Sequence, residues 1–299
     1  MKEHMVNMYD LKSSQQYKDL ILDVFKAFIE ICTEHNLRYF CCGGTAIGAI
    51  RHQGMIPWDD DIDVLMPRPD YERLIVLLMR MKMEKYEIIN ATLDGTYYLP
   101  FAKLCNKHTS LVEYADIPSV FGAYIDIFPL DGAASCDVER RKLLQKFRRA
   151  ANKLLIIPKA SKDNFRGGIK RLLNFQLRTA FNEFFYAFNK RNARKRILNE
   201  IDAVMQHYAY DSAEFVGNYG GMWGIKEFGP KEWFDDFVVR PFEGFEVRVP
   251  KGYDALLTQM YGDYMQLPPE DKRITHHHTA YLNLHERKDI KDIKLIIGK

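Results

Sequence analysis

The chain has 299 residues, 47% of them hydrophobic, and a net charge of +3, so it can bury a sizeable core in one elaborated domain or two. Five cysteines, an odd number with no C-x-x-C pair, argue against a disulfide framework and fit a reducing compartment. No apolar run of signal-peptide length follows Met1-Lys2-Glu3-His4, and the longest apolar run, Leu74 to Met79, is too short to cross a bilayer, so a cytoplasmic protein is expected.

From Ser14 to His35, apolar residues recur at helical spacing (Leu20, Val24, Phe28, Ile31), with Ser13 or Ser14 as N-cap and Asn36 as stop. Arg38 to Cys42 reads as a short strand. Gly43-Gly44 breaks it, and Thr45 to Arg51 reads as one or two helical turns. A strand, a Gly-Gly turn and a helix start present bare backbone N–H groups to a phosphate, and glycine permits its close approach.

Sixteen residues after Gly43 comes the most informative stretch, Asp59-Asp60-Asp61-Ile62-Asp63-Val64. Carboxylates this close repel one another and raise each other's pKa unless a cation joins them. In a strand, Asp61 and Asp63 face one side and Ile62 and Val64 the core, so the two acids can share a hard divalent cation. An isolated acidic triplet is as often a solvated loop. A calcium loop would need Gly and Glu where Val64 and Asp70 stand.

Gly43-Gly44-Thr45, Gly48-Ala49-Ile50-Arg51-His52 and Ile56-Pro57-Trp58 through Val64 resemble the signature of the LicD family, which belongs to the polymerase-β-like nucleotidyltransferases and is related to fukutin-type proteins. Arg68 to Tyr71, Phe101 to Leu104, Tyr124 to Asp131, and Tyr261 to Met265 through Arg273 and His276 also have family-like form. The resemblance implies an α/β (α+β) fold: a mixed sheet with outer helices, here with a basic helical insertion. It also implies a third carboxylate on a later strand. Asp126, flanked by Ile125 and Ile127, fits. Asp61, Asp63 and Asp126 would then hold Mg²⁺ or Mn²⁺, with Asp60 as an additional base or an orienting group. Asp131-Gly132 reads equally as a turn.

The expected activity is transfer of a phospho-alcohol, most of all phosphocholine, from a CDP-activated donor to a hydroxyl of a cell-surface glycan or its lipid-linked precursor. Phosphoglycerol or phosphoribitol transfer is an alternative, as is a non-catalytic member that binds nucleotide or glycan. Gly43, Gly44, Thr45, Arg51 and Lys103 are expected at the donor phosphates, since a lysine in the apolar strand Leu99 to Cys105 needs an anion. Arg273 and the loop His276-His277-His278, His277 included, are expected to close over them. Adjacent histidines in an extended chain cannot all reach one zinc ion.

Charge is strongly polarised along the chain. Residues 140–196 carry 18 Lys and Arg against 2 Asp and Glu, and everything else carries 25 against 38. This stretch reads as basic amphipathic helices broken near Pro158 and Gly167-Gly168, suited to an anionic membrane surface at the inner face and less to nucleic acid. The divisions expected are 1–135 for the catalytic core, 136–210 for the insertion and 211–299 for a segment completing the site. The last holds strands around Phe237 to Arg240 and Phe245 to Val249 and a helix from Tyr253 to Tyr261. Its Tyr219 and Trp223, with Trp58, are a candidate aromatic cage for a quaternary ammonium.

Overall fold

The computed structural model describes residues 11–298 except 13, 159, 160, 189 and 274–277. Helix α1 (Gln15–Glu34) begins where the Ser14 hydroxyl accepts the Tyr17 N–H, and it buries Ile21, Val24, Phe25 and Phe28. Strand β1 (Phe40–Cys41) leads into α2 (Gly43–Ile47), which widens into a π turn over Gly48–His52. Then follow β2 (Asp63–Pro67), α3 (Arg68–Arg80), β3 (Tyr86–Ile89), β4 (Ala102–Asn106), β5 (Ser110–Val112) and the long β6 (Tyr124–Ala133).

The central sheet runs β1-β2-β6-β4-β3, with β2 and β6 parallel and the other neighbours antiparallel, so the fold is a mixed α+β architecture. Alternation along the strands decides what each face carries. Val64, Met66, Ile125, Ile127 and Leu104 pack with the α1 side chains in the main core. Phe40, Leu65, Phe101 and Phe128 point the other way, under Phe234, Leu256 and Met260 of the C-terminal segment.

Helices α4 (Asp137–Ile156), α5 (Ser161–Leu173), α6 (Leu177–Phe188) and α7 (Lys190–Met205) form the basic insertion. It is tied to the core at both ends. Phe147 packs on Tyr219, and Arg194 donates to the carbonyls of Ala91, Asp94 and Tyr97. One expected break is displaced. Gly167 and Gly168 lie inside α5, where a Cβ on Gly168 would collide with the Phe184 ring, so the glycine permits close helix crossing instead of ending the helix. The turn comes at 174–176.

Strands β7 (Phe215–Gly217) and β8 (Phe228–Pro230) extend β6, and the hairpin β9 (Phe237–Phe242) with β10 (Phe245–Pro250) packs its phenylalanines on Phe25. Helix α8 (Tyr253–Tyr261), strand β11 (Tyr281–Asn283) paired with β5, and α9 (Ile290–Ile296) complete the chain. Among the described residues no helix is long and apolar enough to cross a membrane.

Candidate active site

Strand register brings the acids together. In the parallel pair Asp63 lies beside Asp126, and in the antiparallel pair on the other flank Lys103 lies beside Asp126. Backbone hydrogen bonds hold this row: the Asp126 N–H donates to the Ile62 carbonyl at 2.8 Å, and the Cys42 N–H to the Asp63 carbonyl at 3.1 Å. Asp61 lies just before β2 and not within it, yet one carboxylate oxygen each from Asp61, Asp63 and Asp126 falls within 4.8 Å of the others.

The electrostatics of this cluster set its carboxylates against one another. Burial, then Asp61 and Asp126, push the Asp63 pKa well above the usual carboxylate range. Asp126 is raised to about 6 by burial against the pull of Lys103. Asp63 Oδ1 is buried without a hydrogen-bond partner among the described residues. A buried oxygen left in this state costs free energy that a bound cation offsets. Three hard oxygen donors with one such orphan fit Mg²⁺ or Mn²⁺.

Several expected site residues have other partners. Lys103 finds its anion within the protein: its ammonium, fully buried, lies 2.6 Å from Asp126, 3.6 Å from Glu113 and 3.4 Å from the centre of the Tyr124 ring. Burial opposes its charge, but Asp126 and Glu113 outweigh that and raise its pKa. It is a counter-ion to the acids, not an exposed phosphate ligand. Asp60 forms a buried ion pair with Lys12 at 3.0 Å, and a carboxylate oxygen of it also lies within 4.8 Å of oxygens of Asp59 and Asp61. Asp131 is no turn: it lies within β6, held by Arg68 through two hydrogen bonds of 2.6 and 2.7 Å.

Arg51 donates one guanidinium nitrogen to the carbonyls of Tyr264 and Gln266, at 2.6 and 3.1 Å, and so clamps the loop after α8. Arg273 donates to the Pro268 carbonyl and stands 5.4 Å from the Trp58 ring centre. His276 and His277 lie outside the described residues, and the neighbouring His278 hydrogen-bonds the Glu113 carbonyl and stacks on Tyr114.

The Gly-Gly turn abuts the acids directly. Gly43 has φ +53°, which an L side chain adopts with strain, and a Cβ there would stand 3.6 Å from Asp63 Oδ2. A Cβ on Gly44 would collide with the Asp59 carboxylate. The Thr45 hydroxyl accepts the Asp63 N–H at 2.9 Å, so Thr45 positions the acid.

The C-terminal segment supplies the remaining wall. Tyr261, pushed up in pKa by burial and close to Asp63, packs edge-on against Trp223 with ring centres 4.7 Å apart. Tyr219 is absent from that wall: it is buried between Phe147 and Phe228. Glu227 holds the wall in place, accepting from the Trp223 N–H at 2.8 Å and from Asn218 Nδ2 at 2.9 Å, and a Cβ on Gly221 would overlap its carboxylate. Glu113 and Glu227 have no local pattern in the sequence; only the flanking glycines of Gly220-Gly221-Met222-Trp223-Gly224 hint at a crowded backbone.

Glu227 carries a pH prediction. Burial raises its pKa to about 7 from an ordinary value near 4.5. Its ionisation is therefore opposed in the folded state, and the stability it contributes is full below about pH 4.5 and lost as pH rises through about 7. Glu227→Gln is expected to flatten the fall in melting temperature over that window. Parallel wild-type and variant slopes would contradict it.

The mixed sheet, the Gly-Gly turn and the converging carboxylates define the chain as an enzyme of the nucleotidyltransferase type. A family model described as the LicD/FKTN/FKRP nucleotidyltransferase domain matches residues 36–167. A lipopolysaccharide cholinephosphotransferase, LicD, of Haemophilus influenzae is 31% identical over 262 residues, covering 86% of this chain and 92% of that protein. An uncharacterized protein of Rickettsia typhi is 39% identical over 59 residues, 20% of this chain and 19% of its own. The chain belongs to the LicD family and is a phosphotransferase of that type.

Proposed function

We propose that this protein transfers phosphocholine from CDP-choline to a hydroxyl of a cell-surface glycan, or of its lipid-linked precursor, in a reaction that needs Mg²⁺ or Mn²⁺. The observation that carries the reading is the convergence of Asp61, Asp63 and Asp126 around a buried, unpartnered Asp63 oxygen, in a chain so similar to a cholinephosphotransferase. The acceptor oxygen forms a bond to the choline-bearing phosphorus, the bond from that phosphorus to the CMP oxygen breaks, and CMP leaves with the electron pair. The hydroxyl proton passes to a site carboxylate or to water.

Asp61, Asp63 and Asp126 would hold the divalent ion. When bound, it polarises the phosphoryl group and offsets the charge that develops on its oxygens. Lys103 keeps Asp126 ionised and fixed in direction. Thr45 fixes the Asp63 backbone by accepting its N–H, and Gly43-Gly44 leaves room for the diphosphate beside the acids. Trp223, half-exposed, with Tyr261 at its edge, offers a ring face for the trimethylammonium group. Lys226 already places an ammonium 5.7 Å from that ring's centre.

Thermal protection tests the donor. With Mg²⁺ present, CDP-choline is expected to raise the melting temperature more than CDP-glycerol or CDP-ribitol at equal concentration, because tighter binding to the native state stabilises it more. Trp223→Ala should erase that preference and keep the shared nucleotide effect. Equal shifts for all three in the wild type would remove choline; no shift for any would remove the CDP donor.

A further inference from the structure

The hairpin of α5 and α6 carries a surface that neither the active site nor the core uses. Seven of the twenty exposed large apolar side chains among the described residues fall between Phe165 and Phe181. They gather at the tip: Leu173 is 74% exposed, Phe175 90%, Leu177 65% and Phe181 70%. The two helices of the same hairpin pack on each other, with Ala180 buried, Gly168 against Phe184, and the partly exposed Phe165 ring 5.3 Å from that of Phe184. The tip is therefore the outward face of a formed helical pair.

The turn is built to project an aromatic ring. The Phe175 N–H donates to the Leu172 carbonyl at 3.0 Å and the Gln176 N–H to the Arg171 carbonyl at 2.8 Å, which closes the end of α5. Helix ends of this form take a left-handed residue, usually glycine or asparagine. Here it is Phe175, at φ +56°. A bulky residue in that conformation is disfavoured, and water gives nothing in return for exposing it.

Charge selects the medium. Between residues 164 and 182 the sequence has four basic residues, Arg166, Lys170, Arg171 and Arg178, and no acid. Pairing two copies through this tip would bring their like charges together. An anionic bilayer accepts both features at once, rings and aliphatic groups below the headgroups and cations among them.

We infer that residues 165–181 are a membrane-docking tip that inserts Phe175 and Leu177 into an anionic lipid surface while Lys170 and Arg171 pair with its headgroups. The inference rests on neither the donor nor the acceptor proposed above. Apolar insertion and charge attraction act together, because either alone holds a protein at a membrane only weakly.

Co-sedimentation of the full chain with vesicles tests it. Binding is expected to vesicles containing phosphatidylglycerol and not to pure phosphatidylcholine. Phe175→Ser with Leu177→Ser should weaken it by at least about tenfold at low salt, and Lys170→Glu with Arg171→Glu similarly. Both variants should keep the wild-type melting temperature and turnover on a soluble acceptor, since the four side chains lie outside the core and the site. In Phe175→Trp, brominated lipids should quench the added fluorescence. Absence of anionic-vesicle binding in the wild type, binding unchanged by Phe175→Ser with Leu177→Ser, or an unquenched tryptophan would each overturn the inference. So would a concentration-dependent dimer that this apolar pair of substitutions dissolves while vesicle binding is absent, which would make the tip a self-association surface.

Discussion

Asp63→Asn is expected to lower turnover by at least about 10²-fold, the scale of losing one preorganised electrostatic group, and Asp61→Asn and Asp126→Asn likewise. The three differ in what they do to the fold. Asp63 is half-buried beside two other carboxylates, with its pKa pushed well up and its buried Oδ1 without a hydrogen-bond partner among the described residues. Removing its charge relieves repulsion without emptying space, so metal-free Asp63→Asn should melt no lower than the wild type. Asp126 faces Lys103 at 2.6 Å, and its amide leaves that buried ammonium leaning on Glu113 at 3.6 Å. Asp126→Asn should therefore melt lower. Paired activity and melting measurements check this; near wild-type turnover in Asp63→Asn would remove it from the centre.

The second large effect is on stability. Lys103→Met keeps the length and apolar stem of the side chain but leaves Asp126 and Glu113 as buried acids with no ammonium between them. Breaking a buried pair from one side costs about 3–5 kcal/mol. The loss should depend on pH. Without Lys103 the Asp126 carboxyl shifts further up and Glu113 loses the ammonium that helps hold its carboxyl below the ordinary range. A raised carboxyl contributes stability that is present below about pH 4 and lost as pH rises through its folded pKa. For Asp126 that value is already about 6 with Lys103 in place. Denaturant melts at pH 5 and pH 8 should show the deficit growing toward pH 8. A small deficit, equal at both, would mean that Lys103 bears little of the charge balance.

These two effects also mark where the sequence was informative. Asp61 and Asp63 were read as facing one side because alternation in a strand is local; Ile62 and Val64 are both fully buried, as that reading requires, although Asp61 and Ile62 precede the strand. Helix α1 and the β9–β10 hairpin were legible for the same reason, their signal lying within one turn or one strand. Lys103 was legible as a lysine in need of an anion, but not which anion. That depends on the register of β4 against β6, which joins residues 23 apart.

Longer-range partners were less visible still. Arg51 reaches carbonyls 213 and 215 residues away, and nothing near it in sequence distinguishes that from a phosphate contact. Tyr219 and Trp223 stand four residues apart in one glycine-rich loop, yet Phe147 of the insertion draws the first into the core and Tyr261 holds the second at the rim. Gly168 reads as a breaker in a single helix and as a contact only once α6 lies across it.

Release of CMP from CDP-choline by the full chain with a short soluble acceptor tests the central claim most directly. CMP should form with Mg²⁺ or Mn²⁺, stop on chelation, and return when the ion is restored. It should form faster from CDP-choline than from CDP-glycerol or CDP-ribitol, and be nearly absent with Asp61→Asn, Asp63→Asn or Asp126→Asn. Undiminished CMP release by the chelated enzyme, or by the asparagine variants, would contradict the account.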